Sequence, residues 1–139
     1  MKILLLIWKD CFVAALLAMT VAFSALGDDF TTELNGVDIT YQYSEGQQYN
    51  VRFSKEGIKY RYLSGEAPEE WWGPFPYRAF KTNYGQYFAG WYEKGYGDQI
   101  TLLIDLKEKT LLGSGIIIKK DRVIEHFEKA KIIKILAVK

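Results

Sequence analysis

The segment Tyr41-Gln42-Tyr43 places two phenols one pleat apart. On an extended strand such a pair points to one side, and two hydroxyls at that spacing can donate to both oxygens of a carboxylate or bracket a carbonyl. The plainer alternative is that the rings pack while their hydroxyls reach water, because tyrosine is a favoured strand residue. Glu93, in Gly90-Trp91-Tyr92-Glu93, falls by alternation on the face of Tyr87, Ala89 and Trp91. A carboxyl held beside a tryptophan inside a barrel is desolvated, which raises its pKa and suits it to acid–base work. Its alternative is a strand-end glutamate facing solvent beside Lys94. Arg61, opposite Tyr60 and Tyr62 in face, and Arg78, beside an aromatic loop, could each neutralise an anionic ligand or simply stand on a barrel exterior. Trp71, Trp72 and Trp91 complete the candidate ligand-binding set.

Other chemistries fit poorly. The single histidine, His126, excludes zinc sites built on several His or Cys ligands. Alternation is read as turning it away from both neighbouring glutamates, Glu125 and Glu128, onto the surface. Gly113-Ser114-Gly115 has no helix after it to hold phosphate, so the glycines read as a bulge or barrel corner, and no cofactor is expected. Lys119-Lys120-Asp121-Arg122 reads as a solvated turn.

Period-two alternation supplies the elements that must position these residues. Val37, Ile39, Tyr41 and Tyr43 share one face; Tyr49, Val51 and Phe53, then Ile58, Tyr60 and Tyr62, repeat the pattern after turns at Ser44–Gln47 and Lys55–Gly57. Gly65–Pro76 holds all three prolines and reads as a long loop, a candidate lid over a barrel mouth. Strands resume at Tyr77–Thr82, Gln86–Lys94, Gln99–Asp105 and Thr110–Ile118, with a last pair at Val123–Phe127 and Lys131–Val138. Eight or nine short meandering strands predict an all-β fold, a small antiparallel barrel of the calycin type, since closure removes sheet edges and a barrel of about eight strands holds one small ligand.

The chain has 139 residues, enough for one domain. Residues 11–27 carry no charge, follow Lys2 and Lys9, and end in Ala25-Leu26-Gly27. They read as a signal peptide, 1–27, preceding a barrel domain, 28–139, in the periplasm or outside the cell. An uncleaved membrane anchor is the rival, and only then would a membrane be a partner. With Lys2, Lys9 and Asp10 set aside, 16 basic residues face 16 acidic ones, which disfavours nucleic acid. The only cysteine, Cys11, falls in the leader. All ten tyrosines lie between Tyr41 and Tyr96. That concentration points to an aromatic small-molecule ligand. A homodimer is left open, with no seam evident in the pattern.

Tyr41-x-Tyr43-x-x-Gly46-x-x-Tyr49, Tyr60-Arg61, Trp91-x-Glu93 and Gly97-Asp98, in that order, resemble the bacterial phenolic acid decarboxylases, calycin-like barrels that convert p-hydroxycinnamic acids to vinylphenols without a cofactor. With its Trp-Gly-Pro and Gly-Trp-x-Glu elements, the frame from about Val37 to Ile118 looks still more like the MoaF-like proteins, which share the barrel and have no agreed activity. The decarboxylase resemblance implies that Tyr41 and Tyr43 hold a substrate carboxylate while Glu93 moves a proton, a non-oxidative carboxy-lyase activity. One departure stands against it: those enzymes carry an arginine before a tryptophan where this chain reads Glu69-Glu70-Trp71. A binding module, a cofactor-free lyase and a purely structural or interaction domain are therefore the three functions to weigh.

Overall fold

A computed structural model describes residues 29–65 and 68–137. The leader assigned to residues 1–27 lies outside them. Nine strands form one antiparallel sheet: β1 (Val37–Tyr43), β2 (Gln48–Ser54), β3 (Gly57–Tyr62), β4 (Trp71–Phe75), β5 (Tyr77–Lys81), β6 (Tyr87–Glu93), β7 (Asp98–Asp105), β8 (Thr110–Lys119) and β9 (Arg122–Ala137). Their order in space is β4-β3-β2-β1-β9-β8-β7-β6-β5. The sheet curls into a nearly closed barrel whose two end strands are joined through Pro76. The all-β antiparallel barrel read from the alternation is thus the fold observed.

Two elements differ from the sequence reading. The proline-rich stretch is not all loop, because Trp71–Phe75 pairs with β3. Proline is admitted there for two reasons. β4 is an end strand of the sheet, and the register slips between the Ile58↔Phe75 and Tyr60↔Trp72 pairs, so Gly73 and Pro74 sit in a bulge. The expected last pair of strands is one long strand, β9. Its Val123–Phe127 part runs on into the rest, with an irregularity only opposite Thr40/Tyr41.

Side chains divide the barrel interior into two ends. At one end Ile39, Phe53, Ile58, Leu102, Ile104 and Leu111 are fully buried, and Leu34, in the turn before β1, plugs that mouth. Burying each such side chain contributes roughly 1.5–3 kcal/mol. At the other end, where β1, β3, β6 and β8 finish and β2, β7 and β9 begin, the interior is lined by tyrosines and stays open.

The β3–β4 bulge draws the two backbones close. Gly57 has φ of 135°, and a Cβ there would run into the Phe75 carbonyl. Gly46, at φ 100°, has open space around it. Gly57→Ala is therefore expected to lower the unfolding free energy by roughly 3 kcal/mol, through backbone strain and overlap together, and Gly46→Ala by about 1 kcal/mol through strain alone. Urea unfolding of the two variants checks the contrast; equal losses would mean that the β3–β4 approach is looser than described.

Candidate functional site

The open end holds a cavity of about 270 Å³. Five tyrosines line it (Tyr41, Tyr43, Tyr49, Tyr60 and Tyr62), with Trp91, Glu93, Ile100 and His126 among the others. The tyrosines come from the inward faces of β1, β2 and β3, so period-two alternation alone collects them on one wall. Tyr41 and Tyr49 stack with centroids 5.6 Å apart, Tyr43 stands edge-on to Tyr41 at 5.3 Å, and Tyr62 lies 5.0 Å from Tyr49. Burial pushes the Tyr43 phenol up to about 12 and raises Tyr41, Tyr49 and Tyr60 further. At neutral pH these phenols are all protonated donors.

Glu93 is the polar anchor. It is only 2% exposed. Its Oε1 accepts from the Trp91 indole N–H at 3.1 Å and its Oε2 from the Tyr60 hydroxyl at 2.9 Å. Burial raises its pKa, partly offset by these two hydrogen bonds, and the Asp98 charge raises it further. The carboxyl expected beside tryptophan is therefore present, desolvated and held by two donors.

That shift has a consequence for stability. Because the folded-state pKa of Glu93 lies above its ordinary value of 4.5, the folded protein binds the extra proton. The contribution is complete below the unfolded pKa and is lost as pH rises through the folded one. Glu33, Glu56 and Asp105, whose pKa values are lowered, act in the opposite sense. Comparing Glu93→Gln with the parent removes them. The parent's Tm is expected to fall relative to Glu93→Gln as pH climbs from about 4 through the weakly acidic range; a constant difference would show that Glu93 titrates normally.

The sequence-predicted residues do not all converge. Tyr41, Tyr43, Trp91 and Glu93 meet in the cavity. Arg61 and Trp71 lie outside it. They face out from β3 and β4, where the Arg61 guanidinium and that of Arg52 each sit 4.8 Å from the Trp71 ring centre. Beneath them, buried Asn50 donates to Asp38 at 2.5 Å and accepts from Arg61 Nε at 3.2 Å, while Arg52 Nε bonds Asp38 at 3.0 Å. This network pins Trp71 to the barrel wall. Arg78 is exposed over the Phe30 ring at 5.0 Å. Trp72 points inward, edge-on to Tyr96 at 5.2 Å, and is not part of the cavity lining described above. Its Nε1 is buried with no acceptor among the described residues.

His126 corrects the surface assignment. It lines the cavity, 4.7 Å from Tyr43 in an edge-on arrangement, with Nδ1 3.7 Å from Glu128 Oε2. Alternation turns it from Glu125 but puts Glu128, two residues on, on its own face. Ser44 Oγ in turn donates to Glu128 at 3.2 Å. Lys119, read as part of a solvated turn, also borders the cavity, as does Asp98. Tyr49, Tyr60 and Tyr62 were legible by the same alternation that singled out Tyr41 and Tyr43.

Fold and site together define a small antiparallel β-barrel with one aromatic-walled pocket at its open end. The chain belongs to the MoaF family: the MoaF N-terminal domain matches residues 15–116. No curated protein matches the sequence.

Proposed function

We propose that this protein binds a small aromatic ligand in the pocket at the open end of its barrel. The observation that carries the reading is the composition of that cavity: five tyrosines and a tryptophan around one buried carboxyl, Glu93. Apolar walls with a few fixed polar groups are the general form of a small-molecule site, and about 270 Å³ lies just below the usual range, which fits a small ligand. Protonated phenols offer donors to a carboxylate or carbonyl, and Glu93 offers a partner to a hydroxyl or amine. The charge-free N-terminal segment supports export, with a cleaved leader and a periplasmic or secreted domain as the reading and a membrane-anchored one as its rival.

A second reading, a cofactor-free lyase, is favoured by the raised pKa of Glu93 in the same cavity as Tyr41 and Tyr43. In it the tyrosines hold a substrate carboxylate, and the substrate phenol gives up its proton to water as the Glu93 carboxyl protonates the alkene carbon. The resulting quinone methide loses carbon dioxide to leave a vinylphenolate, which water reprotonates as Glu93 takes up a new proton from solvent. Glu69-Glu70 before Trp71, and the outward position of Arg61, weigh against it.

The test exposes the protein to p-coumarate, ferulate and caffeate and follows ultraviolet spectra and Tm. A binding protein leaves the acids intact and gains Tm, since a ligand for the folded state alone stabilises it by mass action. Loss of long-wavelength absorption that vanishes in Glu93→Gln would instead make it a decarboxylase. No Tm response to these or to a wider set of aromatic compounds would leave a structural or interaction domain.

A further inference from the structure

Strands β8 and β9 outrun their neighbours. β7 pairs with β8 only as far as Ile116, and β1 pairs with β9 only from Ala130 onward. Residues 117–124 therefore form a two-stranded arm beyond the β1 and β7 ladders, and among the described residues β9 between Arg122 and Phe127 has β8 on one side and no strand on the other.

The direction of the free backbone groups can be fixed. Lys129 accepts the Ser44 amide on the β1 side, and the Ile132 amide donates to Lys109 on the β8 side. Alternation then aims the N–H and C=O of Val123, Glu125 and Phe127 out of the free edge. None has a backbone partner among the described residues. The same stretch carries two of the most exposed apolar side chains, Val123 at 64% and Phe127 at 78%. An edge that is long, unpaired and apolar is a template for strand addition.

We propose that this edge pairs antiparallel with the same edge of a second copy, about a two-fold axis through Glu125. That register alone satisfies all the outward groups. Val123 meets the partner's Phe127 and Glu125 meets the partner's Glu125, each exchanging both backbone bonds. A slip of two residues one way leaves Phe127 unmatched; the other way Val123 meets Lys129, whose carbonyl is already taken. Charge agrees with the choice. The arm's tip holds Lys119, Lys120 and Arg122 against Asp121 alone, while its root holds Glu128 beside Ser44. Antiparallel pairing lays tip on root and puts Arg122 opposite the partner's Glu128. On the inner side Ile124 comes opposite the partner's His126, so each copy extends the pocket wall of the other. The only unfavourable contact is Glu125 against itself.

Cross-linking tests this register. In the full-length chain, Cys11→Ser removes the only cysteine and Glu125→Cys places one on the axis. Cα atoms facing each other across a hydrogen-bonded antiparallel pair are about 5.5 Å apart, within disulfide range. With oxidised glutathione, Glu125→Cys is expected to form a disulfide dimer at least about tenfold faster than Val123→Cys, which faces Phe127 instead of itself. Adding Val123→Pro, which removes an N–H only from the free edge, is expected to abolish the dimer while near-ultraviolet circular dichroism stays that of the parent. Cross-linking of Glu125→Cys no faster than Val123→Cys, or unaffected by Val123→Pro in a folded chain, would overturn the proposal.

Discussion

Glu93→Ala is expected to abolish ligand binding and to lower the unfolding free energy by roughly 3 kcal/mol, whereas Glu93→Gln retains most of both. The two losses share one cause. Alanine leaves the Trp91 indole N–H and the Tyr60 hydroxyl facing a buried space without the carboxyl that accepted both. Each orphaned donor costs about 1–3 kcal/mol, and the vacated volume adds a cavity term. Glutamine has nearly the same shape. Its carbonyl can accept from Trp91 while its amide donates to the Tyr60 oxygen, whose hydrogen then turns elsewhere. Because burial already favours the neutral form of Glu93, the uncharged amide is a fair stand-in. Titration of an aromatic acid against the three proteins, with chemical denaturation of each, checks this. Equal binding by Glu93→Ala would remove Glu93 from the ligand's surroundings altogether. For the lyase reading the pair gives a different pattern, since glutamine cannot deliver a proton and turnover would stop in both.

Much of this site was legible because a strand's side-chain period is two. Tyr41 and Tyr43 on one face, or Trp91 and Glu93 on one face, follow from parity once the strands are found, and parity also predicted that Arg61 opposes Tyr60 and Tyr62. What parity does not say is which face is inside. On parity alone Arg61 is therefore a candidate ligand for an anion, and only packing of β4 over β3 shows it outside against Trp71. Trp71 and Trp72 differ for the same reason. They are neighbours in sequence and so lie on opposite sides of the wall, one clamped by arginines and the other turned toward Tyr96. For His126, parity places Glu128 on the same face, and only the packing of β9 shows that this face lines the cavity. The cavity's depth was not legible, because it depends on how far Leu34 and the aliphatic residues of the closed end fill the barrel.

The largest effect on ligand affinity is expected from a residue with no side chain. Gly113→Val should weaken binding at least about 100-fold while the barrel still folds, at a stability cost of roughly 1–3 kcal/mol. Gly113 lies in β8, and the Tyr43 ring lies across it so closely that a Cβ there would overlap the Tyr43 hydroxyl, with Cζ and Cε1 only 3.0 and 3.1 Å away. The ring cannot give way sideways, because Tyr41, Tyr49 and His126 enclose it at 5.3, 5.6 and 4.7 Å. Its remaining space is the cavity, so valine at 113 should push Tyr43 into the volume the ligand needs. The glycine that the sequence suggested as a barrel corner is thus the floor on which a pocket tyrosine rests. A double-mutant cycle separates this account from general damage to β8. If the harm runs through Tyr43, adding Tyr43→Ala to Gly113→Val should restore stability, with a coupling energy of about 1–3 kcal/mol. Additive losses would show that valine perturbs the β7–β8–β9 ladder directly. Arg61→Ala serves as the opposite control: it unpins Trp71 from the outer wall and should leave affinity within about twofold, because no part of Arg61 borders the cavity.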